Sequence, residues 1–98
     1  MKAYLTKWIP PRADFLPTIT EAEQALFQQH GDWQSALRET GQIVAHGPVA
    51  DPAGPYGVAI WEIADDADIA ALTAEDPIVK AGVGHYEHFP MLQMRSRG

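Results

Sequence analysis

Cysteine is absent from this chain of 98 residues. The protein therefore has no disulfide framework, no thiolate ligand for a metal and no cysteine nucleophile. Long apolar runs are also absent, and none approaches the roughly 20 residues that a membrane-spanning helix needs. The N-terminal segment Met1–Leu5 lacks the apolar stretch of a signal peptide. These absences predict a soluble, cytoplasmic protein with no membrane partner.

Positive charge is scarce as well. Seven Lys and Arg residues stand against thirteen Asp and Glu residues, which gives a formal net charge of −6. The basic residues are scattered along the chain: Lys2, Lys7, Arg12, Arg38, Lys80, Arg95 and Arg97. Nucleic-acid binding depends on clustered positive charge that displaces counterions from phosphates. We therefore predict no nucleic-acid partner, and an anionic membrane surface would repel this chain too.

The composition is that of a globular protein, with 46% hydrophobic and 20% charged residues. The length suits one domain, which we assign to residues 1–94, followed by a short tail at residues 95–98. Small domains bury a smaller fraction of their surface than large ones do, so association with a second copy would add stability.

Apolar periodicity and turn residues predict the element order β-α-β-β-α-β. The predicted strands cover residues 2–9, 42–50, 56–63 and 85–94, and the predicted helices cover residues 21–40 and 65–74, with one more turn at residues 77–81. Thr20 and Glu23 have the spacing of a capping box at the start of the first helix. Pro90 favours an edge position for the last strand. This order predicts an α+β, ferredoxin-like fold with both helices on one face of the sheet and the third strand in its centre.

The third predicted strand is apolar on both faces. Val58 and Ile60 point to one face, whereas Ala59, Trp61 and Ile63 point to the other. The helices cover only one face, and a strand that is apolar on both sides requires both to be covered. We therefore expect a two-fold homodimer that buries the open face, with Trp61 or its strand neighbours near the interface.

His30 and Asp76 are each weak candidates by themselves. His30 falls at the edge of the apolar stripe of the first helix, where a histidine is commonly structural. Asp76 precedes Pro77 just after the second helix, and Asp-Pro pairs are frequent in turns and caps.

A resemblance to a known family supports the two residues as a pair. The ordered fragments are Gln29-His30-Gly31-Asp32-Trp33, Gly41-Gln42-Ile43-Val44, Gly47-Pro48-Val49 and Asp76-Pro77-Ile78-Val79-Lys80-Ala81-Gly82. Their order and spacing resemble the YCII-related family from the first strand to about Pro90. That resemblance implies an architecture similar to muconolactone isomerase, in which two ferredoxin-like protomers pair as a dimeric α+β barrel.

The resemblance also implies a catalytic dyad in one pocket, carried here by His30 and Asp76. The substrate-binding residues predicted beside it are Trp33, His46, Gly47 and Pro48. The chain departs from the family pattern in residues 10–17, a longer proline-rich link that we expect to rim the pocket. A carboxylate beside an imidazole fixes its tautomer and makes it a better general base near neutral pH.

The chemistry that such a dyad supports is proton transfer. No serine lies in a Gly-x-Ser-x-Gly setting, and no glycine-rich loop could hold a phosphate-bearing cofactor. We therefore predict a cofactor-independent lyase or isomerase acting on a small molecule, with an oxygenated ring as one candidate. The alternative is a non-catalytic module that binds a small metabolite or serves in assembly. A metal site is not predicted, because His85 and His88 are three apart on a strand and point to opposite faces.

Overall fold

The computed structural model describes residues 1–97. Its elements are β1 (Lys2–Ile9), α1 (Glu21–Glu39), β2 (Ile43–Val49), β3 (Tyr56–Ile63), α2 (Ile69–Thr73), α3 (Pro77–Lys80) and β4 (His85–Met91). The four strands form one antiparallel sheet in the order β2-β3-β1-β4. The predicted α+β, ferredoxin-like fold is therefore confirmed, with β3 inside the sheet and β4 at an edge. None of the helices within residues 1–97 is long and apolar enough to cross a membrane.

Helix α1 begins at the predicted capping box. The Thr20 hydroxyl accepts a hydrogen bond from the Glu23 amide at 3.1 Å, and Glu23 Oε1 accepts one from the Thr20 amide at 2.9 Å. These reciprocal bonds satisfy amides that the first helical turn leaves unpaired. The helix ends at Glu39, and Gly41 then takes a φ of 90°, a conformation that glycine adopts without strain.

Several predicted elements are longer than those observed. Helix α2 begins only at Ile69, because the Asp68 carboxylate caps it by accepting from the amides of Ala70 and Ala71. Strand β4 ends at Met91, and residues 92–97 form neither helix nor strand. Gly98, the last residue of the predicted tail, lies outside the described residues.

The faces of β3 correct the expectation for Trp61. Its side chain is 0% exposed and lies on the face covered by the helices, where its indole NH donates to Thr6 Oγ1 at 2.9 Å. The large ring lies under the helices because burial of its apolar area is worth most there. The strand neighbours Val58 and Ile60 are only partly buried and occupy the open face.

Two groups of buried side chains pack between the helices and the sheet. The first, here called the Trp61 cluster, consists of Ile43, Ala59, Trp61, Ile63 and Ile69. The second, here called the Trp8 cluster, consists of Trp8, Phe15 and Ile78. The candidate site lies beside the Trp8 cluster.

Candidate active site

A cavity of about 430 Å³ opens between α1 and the sheet. The end of β1, the end of β2, the start of β3 and the loop before α1 surround it. Its apolar walls come chiefly from Trp8, Phe15 and Phe27, and its polar groups include those of His30, Gln34 and His46. This size falls within the range of small-molecule sites, about 300–1,000 Å³.

His30 lines this cavity and contacts Asp76, which lies behind it. His30 Nδ1 lies 2.6 Å from Asp76 Oδ2, although the two residues are 46 positions apart in the chain. His30 is only 5% exposed and Asp76 is fully buried. The fold alone brings them together, since no local turn joins α1 to the segment before α3. The contact expected between the two side chains is therefore present in the structure.

The His30 ring is held on its faces by two aromatic rings. The Trp8 ring lies 5.2 Å away at 38°, and the Phe27 ring lies 5.9 Å away at 24°. Nδ1 is engaged by Asp76, while Nε2 makes no hydrogen bond within residues 1–97. Every fully buried side-chain nitrogen or oxygen in that range has a partner. Nε2 is therefore accessible, and it belongs to a ring that lines the cavity.

Asp76 has a second role as the N-cap of α3. Its Oδ1 accepts from the Ile78 amide at 3.0 Å, and Pro77 occupies the first turn, where its missing NH is harmless. Its Oδ2 is left to face His30. A carboxylate only accepts hydrogen bonds, so Nδ1 donates in this contact and Nε2 is the acceptor of the neutral ring.

Tyr86 is part of the site and was missed by the sequence analysis. Its hydroxyl donates to Asp76 Oδ2 at 2.7 Å, the same oxygen that contacts His30. Burial raises the pKa of Tyr86 far above its usual range, and the nearby Asp76 carboxylate raises it further. The available signal was strand alternation, which separates the helix-facing Tyr86 and His88 from the exposed His85 and Glu87.

His46 contributes a second imidazole to the cavity wall, and its substrate-binding role stays a prediction. The Arg38 guanidinium, which can only donate, contacts His46 Nε2 at 3.3 Å, so the neutral ring carries its proton on Nδ1. Burial lowers the pKa of His46, and the positive charge of Arg38 and the proximity of His30 lower it further. Gly47 and Pro48 also line the cavity.

The predicted position of Trp33 in the pocket is wrong. Trp33 packs against the Trp61 cluster, with its ring 6.1 Å from that of Trp61. At about 100° per residue, three positions fall short of a full helical turn. Trp33 therefore points to one side of His30, whereas Phe27 and Gln34 point to the other side and line the cavity.

The loop of residues 10–17 forms the outer wall of the cavity, as expected. Phe15 is 1% exposed and meets the Trp8 ring edge-on at 5.6 Å. Arg12 ties the loop to α1 through both oxygens of Glu23, at 2.8 and 2.7 Å. The Arg12 hydrogen bonds lower the pKa of Glu23 to about 2, with a further contribution from the Thr20 amide.

The remaining histidines lie apart. His88 Nε2 is 2.8 Å from Thr73 Oγ1, whereas His85 is exposed on the other face of β4. Within residues 1–97, no three His, Asp or Glu side chains are grouped so that they could hold a metal ion.

These features define a small ferredoxin-like α+β protein with a buried histidine–aspartate pair beside a cavity. The chain belongs to the YCII-related domain family, whose model matches residues 5–95, so the resemblance found in the sequence is confirmed. A search of curated proteins found no match.

Two solved structures are similar over almost their whole length. One is the 5-chloro-2-hydroxyhydroquinone dehydrochlorinase TftG from Burkholderia phenoliruptrix AC1100, in complex with 2,5-dihydroxybenzoquinone. It is 14% identical, with a TM-score of 0.64 over 98% of this chain and 95% of that chain. The other is a variant of SnoaB, a cofactor-independent oxygenase from Streptomyces nogalater. It is 17% identical, with a TM-score of 0.50 over the same shares of the two chains. At these identities the likeness shows a shared fold.

Proposed function

We propose that this protein is a cofactor-independent enzyme that carries out lyase- or isomerase-type acid–base chemistry on a small ring compound. The observation that carries the proposal is the 2.6 Å contact between His30 Nδ1 and Asp76 Oδ2, with Nε2 left accessible at the cavity. A histidine held by a carboxylate on one nitrogen and free on the other is suited to general-base catalysis.

In the proposed reaction, His30 Nε2 removes a proton from a carbon next to a carbonyl group. The electron pair of that C–H bond forms a double bond to the carbonyl carbon while the C=O π pair moves to the oxygen, which gives an enolate. In an isomerisation, the C=O bond of a conjugated enolate re-forms and His30 returns the proton to a different carbon. In an elimination, the C=O bond re-forms, a carbon–carbon double bond forms to the next carbon, and the leaving group departs from that carbon with its bonding electrons and takes up the proton from His30. Asp76 faces the imidazolium formed in the first step and stabilises it.

The cavity wall favours an uncharged or weakly acidic ring as substrate. Among residues 1–97, no lysine or arginine lines the cavity, so a phosphate or a strong acid would have no cationic partner from this part of the chain. Trp8, Phe15 and Phe27 offer apolar surface to a flat ring. The lining also offers polar side chains to oxygen substituents, among them those of Gln34, Ser35 and His46. The quinone in the TftG complex is a compound of this kind.

Hydrogen exchange in D2O tests the proposal on a set of candidate ring compounds. A panel of cyclic ketones, enones, lactones and hydroxyquinones, including 2,5-dihydroxybenzoquinone, is screened first by the ligand-dependent rise in melting temperature. Compounds that bind are then followed by NMR for replacement of C–H by C–D. We expect catalysed exchange with the wild type, and a rate lower by roughly 100-fold or more for His30→Ala, because general bases contribute this much.

The matched control is His85→Ala, which removes an exposed histidine and should exchange as the wild type does. Ligands that bind the wild type and the control but never exchange a proton or react would contradict the proposed enzymatic function. That result would support the alternative, a module that binds a small metabolite without catalysis.

We also propose a homodimer that buries the open face of the sheet. Leu5, Val58 and Ile60 lie partly buried on this face, and Phe89 is 44% exposed. We expect the wild type to sediment as a dimer at micromolar concentration and Ile60→Lys to sediment as a monomer, since a buried unpaired charge is unfavourable. Leu92→Lys, at an exposed position beyond the sheet, should leave the dimer intact. A monomeric wild type would refute this proposal.

A further inference from the structure

The hydroxyl of Tyr86 occupies a position that packing alone does not require. Its ring already contacts the Trp8 cluster from β4, and a phenylalanine would fill the same space. Strand β4 approaches Trp8 closely because Gly84 precedes it: a Cβ there would lie 2.7 Å from the Trp8 ring and 2.6 Å from the Ile9 carbonyl oxygen. This approach brings the Tyr86 oxygen to 2.7 Å from Asp76.

Asp76 distributes its two oxygens unequally. Oδ1 is committed to the Ile78 amide, whereas Oδ2 accepts from both His30 Nδ1 and the Tyr86 hydroxyl. Two donors on one oxygen compete for the same negative charge, and each weakens the attraction available to the other. The carboxylate is fully buried, so no solvent water moderates this competition.

We propose that Tyr86 is a positioning residue that tunes His30 through Asp76. By donating to Oδ2, Tyr86 orients the carboxylate and takes up part of its charge, so that the carboxylate retains a proton on His30 less strongly. His30 therefore loses its proton at a lower pH than it would if Asp76 accepted a hydrogen bond from His30 alone. It is then available as a neutral base at that lower pH. The catalytic consequence rests on the proposed function, whereas the tuning is a property of the ligand-free protein.

The ionisable groups around His30 come from several elements. Asp76 comes from the segment before α3 and Tyr86 from β4 through Asp76, while His46 from β2, Asp32 from α1 and Tyr56 from β3 line the same cavity. The two aromatic rings beside the imidazole, those of Trp8 and Phe27, do not titrate. Because burial keeps the Tyr86 hydroxyl protonated, it remains a donor throughout the range in which a histidine titrates.

An NMR titration of the His30 ring in the ligand-free protein tests this inference. In Tyr86→Phe we expect the midpoint of the His30 titration to move to higher pH by roughly half a unit or more. The reason is that Asp76, without the Tyr86 hydrogen bond, stabilises the protonated imidazole more strongly. Asp76→Asn should move it in the opposite direction. Tyr4→Phe, whose hydroxyl makes no hydrogen bond within residues 1–97, should leave it unchanged.

The double variant Tyr86→Phe/Asp76→Asn shows whether Tyr86 acts through Asp76. We expect the effect of Tyr86→Phe to disappear once the carboxylate is absent. An unchanged midpoint in Tyr86→Phe, or an equal shift with and without the carboxylate, would overturn the inference. These measurements need no substrate, so they can succeed even if no reaction is found. Where turnover is measurable, the acidic limb of the kcat/KM profile should shift with the His30 midpoint.

Discussion

The two halves of the interior are built differently. The Trp61 cluster consists of hydrocarbon and aromatic side chains, and the single indole NH of Trp61 is satisfied by Thr6. The Trp8 cluster adjoins a buried carboxylate, a buried imidazole and a cavity. Both halves share α1 and the same sheet, but Ile69 of α2 belongs to the first cluster and Ile78 of α3 to the second.

This contrast separates stability from chemistry. Apolar burial in the Trp61 cluster stabilises the fold without further requirements. In the half around the Trp8 cluster, removing the partner of a buried polar group destabilises the fold, because an unpaired buried donor or acceptor is costly. Within residues 1–97, His30, Asp76 and Tyr86 satisfy one another, and the one ring nitrogen among them left without a partner is Nε2 of His30, whose ring lines the cavity.

Truncation of Trp61 should give the largest effect. Trp61→Ala removes a fully buried ring and leaves a cavity, so the free energy of unfolding should fall by about 3–5 kcal/mol. Urea denaturation measures this loss. Phe27→Ala, which removes a ring that already borders the cavity, should cost less. An equal loss for both would remove the distinction between the two halves.

Truncation of Asp76 should rank next. Asp76→Ala removes the cap of α3 and leaves the Tyr86 hydroxyl and His30 Nδ1 without an acceptor. The free energy of unfolding should fall by roughly 2–4 kcal/mol. Asp76→Asn keeps a capping oxygen and should be milder. If Asp76→Ala lowered the free energy of unfolding less than Asp76→Asn does, the buried network would contribute little to stability.

The Arg12–Glu23 pair should give the smallest effect, and one that depends on pH. The pKa of Glu23 is lowered to about 2 in the fold, so its contribution is complete above its unfolded pKa of about 4.5 and is lost as the pH falls toward 2. The stability difference between wild type and Glu23→Gln should therefore shrink over this range. Denaturation at several pH values measures it, and a constant difference would contradict the assignment.

Much of the fold follows from local signals in the sequence. The structure confirms two boundaries that local signals predict. Helix α1 begins at the capping box of Thr20 and Glu23, and turn residues separate β2 from β3. The assignment of a face is harder. Strand alternation shows that Trp61 opposes Val58, but it cannot tell which of two apolar faces the helices will cover.

The site depended on information that no local pattern contains. The contact between His30 and Asp76 spans 46 positions and was expected only through the family resemblance. Trp33 lies only three positions after His30, but the helical rotation directs its side chain away from the cavity. Tyr86 lies in β4 close to His85 and His88, and strand alternation gives its face without indicating its partner. Its role depends on the distance to Asp76, which only the tertiary structure gives.

The loop of residues 10–17 is attached to the protein at few places. The end of β1 and the cap of α1 fix its ends, while Arg12 and Phe15 anchor its middle. Between these anchors, Leu16 is 50% exposed and still borders the cavity. Residues there can change the shape of the entrance without disturbing the sheet or the histidine. Under the proposed function, we expect sequence changes in this loop to alter which ligand fits the cavity while His30 and Asp76 stay in place.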